Sequence, residues 1–380
     1  MQQPDKENKL KKIGLSILYF INIVCLLLLI CSNLAQFLNP SQWWMIALTG
    51  LAFPLFLLVS FAFAVFWLFV NRGKAIPSLL IILLSIPNIK RSFAFHSSAG
   101  FSAIKTKDNI RVVTWNVGLM NYETMDSATA SDNNALIFNS LEELNPDVIC
   151  LQEFFTGIAP GSRYNLIDSV THSLHYPYHY FSYDRSQFNG SFYSGSIIFS
   201  KYKIVDTGKI IFAPFPGSVI RAGLLINNDT INIITTRLQS FHLEDEDYTA
   251  IHDIKHASAE GLRDSKSILH KIKGAYALKV QQIDTVQQLI NNSKRPVIFT
   301  GDLNDVPSSY TYPNIKNNLS DAWLDKGFGI GRTFRFISPT LRIDYIFYDD
   351  FFDAVQTRRI LTESSDHNGL VADFIIKKKG

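Results

Sequence analysis

The chain has 380 residues, 47% of them hydrophobic, and 36 basic against 33 acidic residues leave a formal net charge of +3. So small an excess gives no sign of a dedicated polyanion partner. Cys25, Cys31 and Cys150 are the only cysteines, and Cys150 stands alone beyond the first apolar run, which excludes a disulfide framework there.

The apolar residues are not spread evenly. No Asp, Glu, Lys or Arg occurs from position 13 to 71, a span that an ordinary soluble domain does not leave uncharged. Residues 13–35 and 45–70 are each long enough to cross a bilayer. Their short link holds Pro40, Trp43 and Trp44, and tryptophan favours the membrane–water interface. A third run, 75–89, has Pro77 and Pro87 near its ends and falls short of the roughly 20 residues of a comfortable span. It reads as a short span or an interfacial helix. A cleaved signal peptide fits the first run poorly, because the run is long and Cys31-Ser32-Asn33-Leu34-Ala35 at its end is a weak cleavage site. Lys6, Lys9, Lys11 and Lys12 precede the first run, Arg72 and Lys74 follow the second, and the link has no basic residue. The positive-inside rule then puts the N-terminus and residues 71–74 in the cytoplasm. If the third run spans, the rest of the chain is outside, although Lys90 and Arg91 run against that.

The expected organisation is a membrane anchor over 1–91, a linker over 92–109 and one globular domain over 110–380. In the last, 110–117 reads as a strand and 132–144 as a helix, with Leu136, Ile137, Leu141 and Leu144 at helical spacing and Pro146 after its end. Residues 147–152 form a short apolar strand running into Glu153. Further strands are expected over 195–205, 218–226 and 231–237, the last two joined by the hairpin turn Asn227-Asn228-Asp229. An amphipathic helix at 278–290 and strands at 296–300, 343–348 and 370–376 complete the pattern. Many strands with few helices predict sheet packed on sheet with helices outside.

Polar residues gather at the ends of these strands. Asn116 follows the first, Glu153 the second, and Asp302, Asn304 and Asp305 a third; Asp344 lies in a fourth, and Asp366 and His367 just precede a fifth. Any one of these alone is more often a cap or turn residue. Five sites are harder to dismiss, because strand ends on one sheet edge are where clefts form. Asn and carboxylate oxygens are hard ligands that suit Mg²⁺. No His/Cys set has zinc spacing, and neither a Walker A loop nor a Gly-x-Ser-x-Gly elbow occurs. The residue types fit metal-assisted attack of water on a phosphate ester. Asp366 and His367 are adjacent, but neighbours in extended chain point to opposite faces, which argues against their being partners.

In order, "TWNVG", "LQEF", "GSIIFSKYKI", "GDLND", "RIDYIF" and "SSDHNGL" resemble the endonuclease/exonuclease/phosphatase superfamily of Mg²⁺-dependent phosphoesterases, over residues 110–377. The chain also looks like its membrane-anchored bacterial branch. The resemblance implies an α+β fold, a four-layer αββα sandwich of two mixed sheets packed face to face with helices outside, here preceded by two or three transmembrane helices. It implies a bacterial inner membrane location with the catalytic domain extracytoplasmic. Glu153 would be the main Mg²⁺ ligand, with Asn116 beside it and Asp366 near the metal through water; Mn²⁺ could substitute. Asp302 would orient or deprotonate the attacking water, and Asn304 would hold a phosphate oxygen. His367 would stabilise phosphate charge or move a proton, with Asp344 fixing its tautomer. The bland readings are a salt-bridge role for Asp344 and a turn role for Asn116. Asp305 reads as a loop cap, and His172, His175 and His179 as rim residues. For Tyr193, a phosphate contact and loop packing are equally open.

One departure stands out. Where the family usually has His, this chain reads "TTRLQS", with Arg237. Arg stays charged near neutral pH and cannot shuttle a proton, but it can clamp a phosphate. The expected function is a membrane-anchored Mg²⁺-dependent phosphodiesterase or phosphomonoesterase. The alternatives are a membrane-bound nuclease and a catalytically weakened phosphate-binding module. Glu244, Asp245, Glu246 and Asp247, in a long insert over 242–277, disfavour duplex DNA. The expected partners are a phosphate-ester substrate (a lipid headgroup, a small phosphoester or nucleic acid) and the lipid bilayer, with no obligate protein partner. Arg221 either adds positive charge at the site or is an ordinary strand residue.

Overall fold

The computed structural model describes residues 3–96, 100–120, 127–162, 164–214, 216–241 and 259–377, leaving side chains aside at 3–8, 127–133 and 259–268. The acidic run at 244–247 and linker residues 97–99 lie outside the described residues. Two compact units divide the chain: Met1–Ser92 with Pro307–Tyr310, and Phe93–Val306 with Thr311–Gly380.

The first unit contains α1 (Gln3–Leu34), α2 (Trp44–Leu51), α3 (Phe53–Val70), α4 (Arg72–Leu84) and α5 (Ile86–Ser92). Lys9–Leu34 and Phe53–Val70 are long and apolar enough to cross a membrane. The single run expected over 45–70 is broken at Ala52, because Pro54 in the first turn of α3 lacks an N–H and its ring crowds the carbonyl four residues back. α4 and α5 meet at a 52° bend, and the pair together matches a third span in length and composition.

Polar side chains among apolar helices are costly unless partnered, and several here partner one another. Asn22 on α1 donates to Ser78 on α4 at 3.1 Å and accepts from it at 3.2 Å. Further along, Asn33 donates to Ser85 at 2.8 Å and accepts from Asn88 at 3.1 Å. Gln36 donates to Asn88 at 3.1 Å. The partners ascend together, from 22 with 78 to 36 with 88, so the bent pair runs parallel to α1.

The second unit is built on strands β1 (Ala94–Phe95), β2 (Ile110–Asn116), β3 (Val148–Gly157), β4 (Tyr178–Phe181), β5 (Arg185–Gln187), β6 (Phe192–Ser200), β7 (Ile204–Ile211) and β8 (Ser218–Ile226). They continue with β9 (Asp229–Arg237), β10 (Val297–Asp302), β11 (Ser320–Asp321), β12 (Phe328–Gly329), β13 (Asp344–Tyr348), β14 (Phe352–Ile360) and β15 (Gly369–Ile376). One sheet has the order β14-β15-β2-β3-β6-β4, with β5 on β6, and the other β11-β13-β10-β9-β8-β7. β1 and β12 pair apart from both. Each sheet has one parallel pair at its centre, β2 with β3 and β9 with β10. Antiparallel strands flank both pairs.

Alternation along the strands decides the layers. Val112, Cys150 and Ile198 point inward and meet Ile220, Ile233, Ile298 and Ile346 of the other sheet. Each fully buried Ile or Val there contributes roughly 1.5–3 kcal/mol. Val113, Trp115, Ile149 and Leu151 point outward, onto Ile137 and Leu141 of α6 (Ser127–Leu144) and Val170 of α7 (Leu166–Ser173). On the second sheet, Phe299 stacks on Phe347 at 5.8 Å, and Tyr312 of the helix Thr311–Lys316 sits edge-on to Phe347. That helix packs on α8 (Ala259–Asn291). The result is an α+β sandwich of two mixed sheets with helices outside.

Two expectations are corrected. The strand expected over 195–205 is two strands in different sheets: β6 ends at Ser200 and β7 starts at Ile204. The chain changes sheet where Lys201 N donates to Asp147 O at 2.9 Å and Tyr202 N donates to Ser200 Oγ at 2.9 Å. The insert over 242–277 is helical from Ala259 onward.

Candidate active site

The ends of the two central parallel pairs meet across the sandwich. In the first sheet they carry Glu153 on β3 and Asn116 on β2, with His367 two residues before β15. In the second they carry Arg237, Asp302 and Asp344, with Asp302 in register with both neighbours. Each residue meets its counterpart. Arg237 Nε lies 2.5 Å from Glu153 Oε1. Asn116 Nδ2 donates to Asp302 Oδ2 at 3.0 Å. His367 Nδ1 lies 2.8 Å from Asp344 Oδ2.

Local backbone geometry aims these groups. Strict alternation would send residue 153 to the face opposite Gln152, which points inward and donates to Thr235 Oγ1 at 2.8 Å. Instead the β3–β6 ladder slips between Leu151 and Phe154, and Glu153 takes a left-handed backbone, φ +51°. The bulge re-aims the carboxylate toward the strand end. On β10, Gly301 lets the backbone press against β9: a Cβ there would stand 2.2 Å from Thr236 O. Asp302 then ends the strand, where Asn304 N donates to its Oδ1 at 2.8 Å.

A second set of residues braces the first, and most of it carries no signal in the sequence. Thr333 Oγ1 accepts from Asp344 N at 3.1 Å. Ser365 Oγ donates to Asn116 O at 2.8 Å and accepts from His367 N at 3.1 Å. Trp115 Nε1 donates to His367 O at 2.9 Å, and the Phe334 ring lies edge-on to the imidazole at 5.1 Å. Lys279 of α8, fully buried, donates to Asn304 O at 2.7 Å. Among these, the Ser365 position alone had a sequence hint, in the polar run before His367.

The other candidates fall as follows. Asp366 does not pair with His367; its Oδ1 accepts from Ser365 Oγ at 3.2 Å. Asn304 spends its amide hydrogens on Leu238 O at 2.9 Å and Asp302 Oδ2 at 3.1 Å, so here it braces Asp302. Asp305 accepts from Thr311 and Val306, as a loop cap does. Arg221 pairs with Asp206 and Asn232 on the second sheet. His172 bonds to Asp168 O within its own helix, and His179 packs on Phe199. Tyr193 lies edge-on to Tyr183 at 5.2 Å.

The electrostatics separate the acids. Burial raises the Glu153 carboxyl, but Arg237, the Asn116 amide, His367 and Arg185 on β5 outweigh it and hold the group below the usual carboxylate range. Burial and the Asp344 charge push Asp302 up, to about 6. Burial alone would lower His367, yet Asp344 and Asp302 together raise it to about 10. The imidazole is therefore a cation at neutral pH, with Nδ1 committed to Asp344.

The donors fit a divalent cation. Asp302, Asp344 and His367 bring candidate ligand atoms within 4.8 Å of one another, the one such group among the described residues, although a protonated His367 leaves the donation to the two carboxylates. Asp344 Oδ1 is buried without a hydrogen-bond partner there. Glu153, Asp302, Asp344 and Asp366 all act on Arg237. The carboxylate oxygens of Glu153, Asp302, Asp344 and Asp366 are hard donors of the kind a divalent cation takes.

A family model for the endonuclease/exonuclease/phosphatase family matches residues 113–367. A second, for a domain of unknown function (DUF8431), matches residues 15–92. No curated protein matches the chain. Among solved structures, it is similar to an endonuclease/exonuclease/phosphatase from Beutenbergia cavernae at 20% identity and TM-score 0.50, covering 71% of this chain and 72% of that one. It is also similar to the human Nocturnin catalytic domain with bound sulfate, at 18% identity and TM-score 0.49 over 71% of this chain and 94% of that one. A family protein from Bacteroides thetaiotaomicron follows, at 15% identity and TM-score 0.48 over 71% and 98%. At these identities the likeness speaks to fold alone.

Proposed function

The protein belongs to the endonuclease/exonuclease/phosphatase family, and on that premise we propose that it is a membrane-anchored, Mg²⁺-dependent phosphoesterase. The observation that carries this reading is the row of three pairs across the sandwich, Glu153–Arg237, Asn116–Asp302 and His367–Asp344. It joins a metal-type carboxylate, a buried acid with a raised pKa and a backed imidazole at one edge.

Glu153 and Asn116 would hold the ion, with Asp366 reaching it through water, and Mn²⁺ would serve in its place. When bound, the ion supplies Lewis-acid polarisation of a phosphoryl oxygen. Asp302, with its pKa near 6, is ionised yet basic enough at neutral pH to orient the attacking water and take its proton. His367 presents positive charge to the phosphate and can give up a proton from Nε2, while Asp344 holds Nδ1. Asn304 keeps Asp302 in place and would turn an amide hydrogen to a phosphate oxygen when substrate binds. Arg237 clamps the phosphate. The substrate class is a phosphodiester or phosphomonoester.

The organisation proposed is an anchor over 1–91, a linker over 92–109 and a catalytic domain over 110–380. The location proposed is a bacterial inner membrane, multi-pass, with the catalytic domain outside the cytoplasm. The parallel course of α1 and the bent α4–α5 pair supports three crossings. Parallel spans leave the membrane on the same side, which is opposite the N-terminus.

The test uses the full chain in detergent micelles, with a generic phosphodiester, a phosphomonoester, DNA and sphingomyelin, each with and without Mg²⁺. The expected result is Mg²⁺-dependent turnover of a small phosphoester that Glu153→Ala abolishes. No such turnover on any substrate sinks the reading, and turnover of DNA alone replaces it with a nuclease. A C-terminal reporter active only outside the cytoplasm should be active; silence at good expression reverses the topology.

A further inference from the structure

We propose that Arg237 is a resident counter-cation, which Glu153 gives up when a divalent ion binds and which is thereby freed for the anionic group of the substrate. This rests on the reading of Glu153 as a metal ligand. Arg237 Nε stands 2.5 Å from Glu153 Oε1, so the guanidinium and a metal ion would compete for the same carboxylate. The contact is one of charge, because the buried Nε makes no in-line hydrogen bond.

The other carboxylates that act on Arg237 do so from further off than Glu153. Asp302 Oδ2 is 3.8 Å away and already accepts from Asn116 and Asn304. Exposure points the same way. The side chains of Arg237 and Glu153 are 30% and 23% exposed, whereas those of His367 and Asp344 are 5% and 1% exposed. Arg237 has room to swing; the inner pair does not. A unit positive charge within a few ångströms of an arriving dication opposes it strongly at the effective dielectric of a protein edge. With an ion on Glu153, the guanidinium would turn away from that carboxylate, toward an incoming anion. Ion and anion then assist each other, and by linkage the assistance is reciprocal.

The experiment is calorimetric titration of Mn²⁺ into the full chain in detergent, with no substrate, in the absence and presence of sulfate as the phosphate-shaped probe. Arg237→Gln is expected to bind Mn²⁺ about tenfold or more tightly than wild type, as removal of a neighbouring like charge predicts. Sulfate is expected to tighten Mn²⁺ binding in wild type and to leave the variant unchanged. Equal or weaker Mn²⁺ affinity in Arg237→Gln overturns the proposal, as does an unchanged sulfate effect. Arg237→Met, similar in length and uncharged, takes its place if the Gln variant does not fold. Glu153→Gln separates the two levels: if it binds Mn²⁺ as wild type does, the ligand assignment fails, and not merely the role of Arg237.

Discussion

His367–Asp344 and Glu153–Arg237 are both ion pairs between the two sheets, and they stand at the two ends of one row, yet they are built differently. The first is buried and braced on all sides, by Thr333, Ser365, Trp115 and Phe334. The second lies at the open edge and is held mainly by charge. A pair that must keep one tautomer through a reaction needs the first kind of surroundings. A pair that must come apart for a ligand needs the second. On the proposed reading, the same two charge types would serve as a fixture in one place and as a latch in the other.

Breaking each pair in turn should expose that difference, most of all in turnover. His367→Ala is expected to lower kcat about 10³-fold or more, within the range for a lost acid–base group, whereas Arg237→His lowers it far less. Steady-state rates at saturating Mg²⁺ decide this, and comparable losses would refute the asymmetry. Stability should follow the same order. Asp344→Ala leaves a buried cation unpaired and is expected to cost about 3–5 kcal/mol; Glu153→Ala, at the open edge, should cost about 1 kcal/mol or less. Urea unfolding of the metal-free protein measures both, and equal costs would erase the distinction.

The effect of pH is smaller and has a definite sign. A histidine raised to about 10 from its ordinary value stabilises the fold fully below about pH 6.5, and that contribution is lost as pH rises through about 10. Without metal, the melting temperature should fall between pH 7 and 10 in wild type and stay flatter in His367→Gln. Parallel profiles would mean that the pair is not charged as described. The smallest effect belongs to a pair outside the row. Arg221→Ala removes contacts with Asp206 and Asn232 and should cost no more than about 1 kcal/mol, with kcat unchanged. A loss of turnover would bring Arg221 into the site.

The sequence made the strand ends visible because each ends an apolar run with a polar group, and alternation within a strand is a local property. The motifs around Asn116, Glu153, Asp302, Asp344 and His367 were legible for that reason, as was the layering. Which residue faces which was not. Glu153 and Arg237 are 84 positions apart, and their meeting depends on a bulge at Leu151–Phe154 that no residue type announces. The division of 195–205 between two sheets was hidden because the strand pattern resumes at once beyond the turn at 201–203. Lys279 was illegible for another reason: a lysine on an amphipathic helix reads as a solvated residue, and only its buried bond to Asn304 O shows otherwise.

The left-handed backbone at Glu153 sets the fold and its chemistry at odds. For a residue with a Cβ that conformation costs roughly 1–2 kcal/mol, and glycine adopts it freely. A library at position 153 sorted for thermal resistance should therefore enrich glycine, while the same library sorted for turnover should return glutamate. The two selections would rank the same side chains in opposite order, because the backbone favours glycine where the proposed chemistry needs an acid.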